Sequence, residues 1–291
     1  MRHHIFFLFL TCLALFSCEK ADLGEFNQKP DDGKVKVTFN ITGVEQVPFE
    51  NTKTRGTEDL FSRLTISLFQ GDTKVKNISQ TSNDDHFGTV AIDLTPGTYQ
   101  LVAIAHNGLG NCTVSSPEKI TFASNKMTDT FYYYGTIEVK ETGNNDLILK
   151  RAVSMFRLIT TDDIPESVAK MQFYFTGGSS TFNATTGFGC VNSKQTEFIN
   201  IENSKNTSNG KAFEIYTFPH ETTDDLTIKV TALDASGNTI TEATFNNVPI
   251  QQNVITQYTT PFFTNPPGTI TSFTTTATIE NNGQWQSTID M

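Results

Sequence analysis

Apolar and polar residues alternate one by one through several stretches of this chain. In residues 34–42, "KVKVTFNIT", Val35, Val37, Phe39 and Ile41 fall on one face and Lys34, Lys36, Thr38 and Asn40 on the other. A period of two predicts a strand with one face in a core and one in water. The same pattern predicts strands over 63–70, "RLTISLFQ", and over 226–234, "LTIKVTALD". Residues 98–106, "TYQLVAIAH", are apolar on both faces and predict a central strand. Turn chemistry separates these runs: "QGDTK", "TPGT", "DASGN" and "NPPG". Beyond the first residues, no stretch of a dozen has a helical period. One short helical turn is expected at Pro165 to Ala169, where Asp163 can cap and Pro165 suits the first turn.

Many short strands at this spacing predict an all-β chain of two tandem antiparallel β-sandwich domains. The boundary is expected in the polar stretch 140–147, "KETGNNDL", after which "LILKRAVSMFRLIT" reads as one long apolar strand. That gives an N-terminal sandwich over 34–145 and a C-terminal one over 146–291. No internal repeat is visible in the residues.

The first residues follow other rules. Arg2, His3 and His4 form a short basic start, and Ile5 to Ser17 is apolar apart from Thr11 and Ser17. Thirteen residues are too few to span a bilayer, which needs about 20. A basic end, a short apolar run and small residues make a secretory signal, 1–17. Leu15-Phe16-Ser17-Cys18 looks like a bacterial lipobox, in which Cys18 is lipidated and becomes the first mature residue. Phe16 is unusual at its position, and an unmodified Cys after an ordinary signal is the alternative. Residues 18–33 are polar and punctuated by Pro and Gly, and read as a tether between a lipid and the folded body.

Composition narrows the chemistry. The net charge is −10, from 21 basic and 31 acidic residues, with no basic block, so no nucleic-acid partner is expected. Of the four Cys, Cys112 and Cys190 lie in the body, in different expected domains, and two buried thiols are the expectation. No His or Cys pair has metal-ligand spacing, so neither a metal nor any other cofactor is expected. "SNDDHFG", 82–88, reads as a solvated turn rather than a Ca²⁺ loop. A Gly-x-Ser-x-Gly elbow is missing, and the pairs Asp84/Asp85, Asp162/Asp163 and Asp224/Asp225 point to opposite faces if extended. The chain is therefore expected not to be an enzyme. Aromatics are mostly Phe, 24 of them against seven Tyr and one Trp, which suits cores over wet binding faces. "TFYYYGTIEV", 130–139, is the exception: Tyr132 and Tyr134 share a face, as core, interface or glycan platform. Trp285 reads as a core anchor.

Three segments carry a resemblance. "TPGTYQLVAIAHN" at 95–107, "LKRAVSMFRLIT" at 149–160 and "NNVPIQQNVITQYTTPFFT" at 246–264 resemble, in this order, segments of Bacteroidales fimbrillins and fimbrial anchor lipoproteins. The resemblance implies two transthyretin-like β-sandwiches and a structural role in a surface pilus, on an outer-membrane lipoprotein at the cell surface. It further implies assembly with other fimbrial subunits by strand complementation. In shaft subunits an arginine-specific protease cuts the loop after the first strand; anchors keep strand and lipid. Carried onto this chain, the exchanged strand is Val35, Val37, Phe39 and Ile41. The cleavage candidate is Arg55 in "VPFENTKTRGTEDLF", with Lys53 and Arg63 less well placed. The candidate C-terminal donor is "GTITSFTTTATIE", through Phe273, Ala277 and Ile279, a segment that reads equally as a resident strand of the second domain. A strand filling such a groove bonds through its main chain and gains specificity from alternate side chains. The alternative is a surface glycan-binding lipoprotein of an outer-membrane uptake system.

Overall fold

The computed structural model describes residues 33–45, 60–264, 269–270 and 288–290. The chain is all-β. Its first nine strands are β1 (Val35–Val44), β2 (Arg63–Gln70), β3 (Thr73–Thr81), β4 (Thr89–Leu94), β5 (Gly97–His106), β6 (Thr113–Ser116), β7 (Lys119–Thr121), β8 (Thr130–Val139) and β9 (Gly143–Arg151). Then come β10 (Ser154–Thr160), β11 (Lys170–Thr176), β12 (Thr181–Asn183), β13 (Phe188–Gly189), β14 (Lys194–Asn200), β15 (Lys205–Thr207), β16 (Gly210–Thr217), β17 (Thr223–Leu233), β18 (Thr239–Gln251), β19 (Ile255–Thr260), β20 (Thr269–Ile270) and β21 (Thr288–Asp290).

Seven strands make one sheet in the order β3-β2-β5-β8-β9-β1-β4. It curls around a single apolar core that includes Phe39, Leu64, Ile66, Ile92, Leu101 and Leu147, and comes close to a barrel. The two ends of the sheet are tied through Gln80, which donates to the Thr89 carbonyl (2.9 Å) and accepts from the Gly88 N–H (3.1 Å). β8 and β9 are joined only at Phe131–Arg151 and Tyr132–Lys150, and diverge beyond. The second half has two five-stranded sheets, β15-β16-β10-β19-β21 and β14-β11-β17-β18-β20. They enclose a second core around Phe156, Phe173, Phe175, Phe213 and Phe245.

One pairing order occurs twice. β4-β1-β9 faces β3-β2-β5-β8, and β16-β10-β19 faces β14-β11-β17-β18. In both, the first strand runs parallel to the last, β1 to β9 and β10 to β19. The sheets are thus mixed, not wholly antiparallel as expected. The repeat is one of hydrogen-bonded neighbours, which is why no repeated residues announce it.

The pattern reading of β5 holds for a reason it did not contain. Leu101, Ala103 and Ala105 face the first core, while Val102 and Ile104 enter a third cluster shared by both halves. That cluster brings Phe69, Phe122 and Ile120 against Val153, Phe182, Phe218 and Ile255. A four-stranded sheet, β13-β12-β7-β6, also crosses between the halves. The "TPGTY" turn places Tyr99 in the first core with its hydroxyl donating to the Thr95 carbonyl (2.6 Å).

Two expectations change. Residues 147–160 form not one strand but two: β9 stays with β1, the chain bends at Ala152-Val153, and β10 begins the second core. The expected division at 145/146 falls inside β9. No helix forms at Pro165 to Ala169; a single turn closes there through Val168 N–H to the Pro165 carbonyl (2.9 Å). The chain is held there by Asp162, whose carboxylate accepts the N–H groups of Phe262 (2.9 Å), Phe263 (2.7 Å) and Thr264 (2.7 Å).

Candidate functional site

The first candidate element is β1. Val37, Phe39 and Ile41 are buried in the first core, and Val35 packs partly against it. β1 lies antiparallel to β4 from Val35–Leu94 to Asn40–Thr89, and parallel to β9 from Val37–Gly143 onward. β4 ends the sheet, so β1 is its link to the rest. Cys18, Arg55, Phe273, Ala277, Ile279 and Trp285 lie outside the described residues. Arg63, a less favoured cleavage position, opens β2 with each of its three guanidinium nitrogens making one hydrogen bond. It donates to the carbonyls of Gly108 (2.7 Å) and Leu109 (2.8 Å) and to Asn111 Oδ1 (2.9 Å).

A second feature is a cleft of about 480 Å³ where β8 and β9 part. Tyr132, Tyr133 and Tyr134 come from β8, Asp146, Ile148 and Lys150 from β9, and Glu45 from just beyond β1. The Lys150 ammonium pairs with Glu45 (3.3 Å), and Asp146 accepts from the Asn40 side chain (3.0 Å). Ile148 is 53% exposed between those two charges. The three tyrosines are each half-buried and serve different cores, Tyr133 the first and Tyr132 and Tyr134 the third. Tyr132 meets Phe182 edge-on at 4.8 Å, and burial raises its pKa, with Glu45 adding to the rise. They do not form a row of exposed rings. Sequence reasoning marked the tyrosines but missed the β9 side, because nothing local shows that these two consecutive strands pair at one end only and part at the other.

A third feature is a buried cation. Arg151 is fully buried, and its guanidinium donates to both carboxylate oxygens of Asp129 (2.7 and 3.0 Å) and to Asn253 Oδ1 (2.6 Å). It also lies 4.8 Å from the centre of the Phe131 ring. Its partners come from the approach to β8 and the turn between β18 and β19, so it fastens the bend between the two halves. A charge inside "LILKRAVSMF" was the available signal for this bend.

The histidines, thiols and paired carboxylates have these surroundings. His106 is buried at the end of β5, its Nδ1 accepting from the Gly108 N–H (3.0 Å) and its Nε2 enclosed without a hydrogen-bond partner among the described residues. Burial, and then the Arg63 charge, lower its pKa to about 4. His220 Nδ1 bonds Asp224 (2.7 Å), an Asp–His pair, but the other ring nitrogen is taken by the Val191 carbonyl (3.1 Å). Both thiols are free; Cys112 is buried and Cys190 exposed, which corrects the expectation that both are buried. Burial raises both thiol pKa values, Cys112 to about 11, the opposite of an activated nucleophile. Asp84 in "SNDDHFG" caps its own turn, accepting from the Thr81 N–H (2.6 Å) and hydroxyl (3.2 Å). Among the described residues, no group of three His, Cys, Asp or Glu is placed to hold a metal ion.

In the described residues the chain is all-β, and the groups named above serve its sheets, turns and cores. The family model of fimbrillin-A associated anchor proteins Mfa1 and Mfa2 matches residues 27–290, and the chain belongs to that family. Solved structures are similar to the chain at low identity. A putative adhesin from Bacteroides ovatus is 13% identical, with a TM-score of 0.47, covering 74% of this chain and 82% of its own. A putative cell adhesion protein from the same species is 15% identical, with a TM-score of 0.43, over 81% and 93%. The fimbrial anchor protein Mfa2 from Porphyromonas gingivalis is 12% identical, with a TM-score of 0.41, over 72% and 81%. No curated protein matches the chain.

Proposed function

We propose that this protein is a subunit of a cell-surface fimbria, anchor, minor or shaft, exported as an outer-membrane lipoprotein through Cys18. The repeated pairing order supports two tandem transthyretin-like sandwiches, divided at Ala152-Val153 rather than at 145/146. The subunit joins its neighbours by strand complementation. The observation that carries this reading is the placement of β1. It presents Val37, Phe39 and Ile41 to the core and is bracketed by β4 and β9. Its loss would open a groove lined by apolar side chains and by main-chain groups on both sides, the acceptor that an incoming strand needs. Arg55 lies between β1 and β2, so one cut there would release β1 together with the lipid. An uncut chain would keep both and serve as the foot of the fibre.

The test uses recombinant mature chain and an arginine-specific protease. A shaft subunit gives one cut at Arg55, missing in Arg55→Ala, followed by SDS-resistant ladders. An anchor gives no ladder and stays in the outer-membrane fraction, from which Cys18→Ala is lost. Fractionation of Cys18→Ala with wild type, together with cells that make no fibre, would reject the proposal.

A further inference from the structure

The two halves share a pairing order but differ at two strand edges. In the second half, β18 carries the parallel strand β20 (Thr244–Thr269, Phe245–Ile270). β19 carries the parallel strand β21 (Ile255–Thr288 to Gln257–Asp290). Their counterparts in the first half are β8 and β9, and no described strand lies on either beyond the short joint at Tyr132–Lys150.

The main chain of β9 shows which groups this leaves bare. The Leu149 carbonyl accepts from the Glu45 N–H (2.7 Å), so Leu149 faces β1. The Ala152 N–H donates to the Thr130 carbonyl (2.8 Å), so even-numbered residues face β8. Main-chain groups alternate in direction along a strand. The N–H and C=O of Ile148 and Asp146 therefore point into the cleft, past the last residue that β8 pairs. An open edge of this kind is a template for another strand. Exposed Ile148 and the neighbouring Tyr134 supply apolar contact for alternate side chains, and Lys150 and Asp146 supply charges of both signs.

We propose that the cleft between β8 and β9 takes, as an added strand parallel to β9, the C-terminal stretch carrying Thr288–Asp290 of a second copy of this chain. That stretch already lies parallel to β19, the counterpart of β9, in its own copy. Among the described residues three pairs hold it there, a short pairing to give up on transfer. β1 stays in place throughout. This contact is therefore distinct from exchange of β1, and it stands or falls independently of a cut at Arg55.

The test needs the full mature chain and a fluorescently labelled peptide of residues 280–291. Anisotropy is expected to show saturable binding that Ile148→Pro weakens roughly tenfold or more, since proline removes an outward N–H for which the described residues supply no strand partner. Circular dichroism and a melting curve check that this variant folds. If it does not, Tyr134→Ala replaces it, with weaker binding again expected. In parallel, an Ile148→Cys copy is mixed with a Thr288→Cys copy, both in a Cys190→Ser background. A disulfide-linked pair is expected to form faster than with Leu109→Cys, a fully exposed control away from the cleft. No peptide binding, binding indifferent to both variants, or equal cross-linking at Leu109→Cys would overturn the proposal. Linkage only within a single copy carrying both cysteines would assign the cleft to the chain's own end, and would overturn it too.

Discussion

His106 gives the first half a dependence on pH. Its native form is neutral and buried, with a pKa held at about 4 by burial and by the Arg63 charge. In the unfolded chain an imidazole titrates near its ordinary value of about 6.5. The unfolded state thus takes up a proton first as pH falls. The stability that neutral His106 contributes is complete above pH ~6.5 and is lost between there and pH ~4, at about 1.4 kcal/mol per pH unit. Urea midpoints measured from pH 7 to pH 4.5 should fall accordingly. His106→Asn, whose Oδ1 can still accept from Gly108, should flatten that slope; an unchanged slope would assign the acid sensitivity elsewhere. Arg151 shows what one residue can hide from a sequence. Its position in an apolar run is visible, but Asp129 and Asn253, 22 and 102 residues away, are what make it a fastening point. A buried guanidinium is costly unless both its charge and its donors are met, so those partners are part of its meaning.

At the scale of elements, β1 separates inward from outward positions. Phe39→Ala removes a fully buried ring from the first core and should cost about 3–5 kcal/mol. Lys36→Ala, on the exposed face, should stay within about 0.5 kcal/mol of wild type. Equal effects in chemical denaturation would mean the strand is not held by its buried face. Strict alternation made β1 legible, because one face meets a core and the other meets water. β9 and β10 read as one strand because apolar residues resume directly after Lys150-Arg151, the one local mark of the bend, while the chain passes from one core to the next. Nothing local marks which core a Leu or Met faces. Long-range ties are as invisible locally near Pro165, where Asp162 holds three N–H groups a hundred residues away and only a single turn closes. For the candidate site, β1 was readable in full, the cleft only on its β8 side.

For the whole molecule, the third cluster decides whether the halves behave as one. Phe218 is fully buried there, 5.0 Å from the Phe182 ring and 5.4 Å from the Phe122 ring, which belong to different halves. Phe218→Ala should remove about 3–5 kcal/mol from that contact and leave the other two cores intact. Scanning calorimetry should then resolve one heat-absorption peak into two. A single peak shifted down, with equal calorimetric and van't Hoff enthalpies, would show the halves held together by other contacts.

The parallel pairing of β1 with β9 also sets a timetable. The partners Asn40 and Asp146 are 106 residues apart in the chain. A chain that is made, or threaded through a membrane, from its N-terminus delivers β1 first and its neighbour β9 last. Contacts of such long range close slowly, because the intervening chain must be ordered before they form. β1 therefore waits through nearly the whole emergence of the first half with Val37, Phe39 and Ile41 uncovered. During that interval any strand with a matching apolar face competes for its place, so the order of synthesis exposes the same seam that assembly would later use.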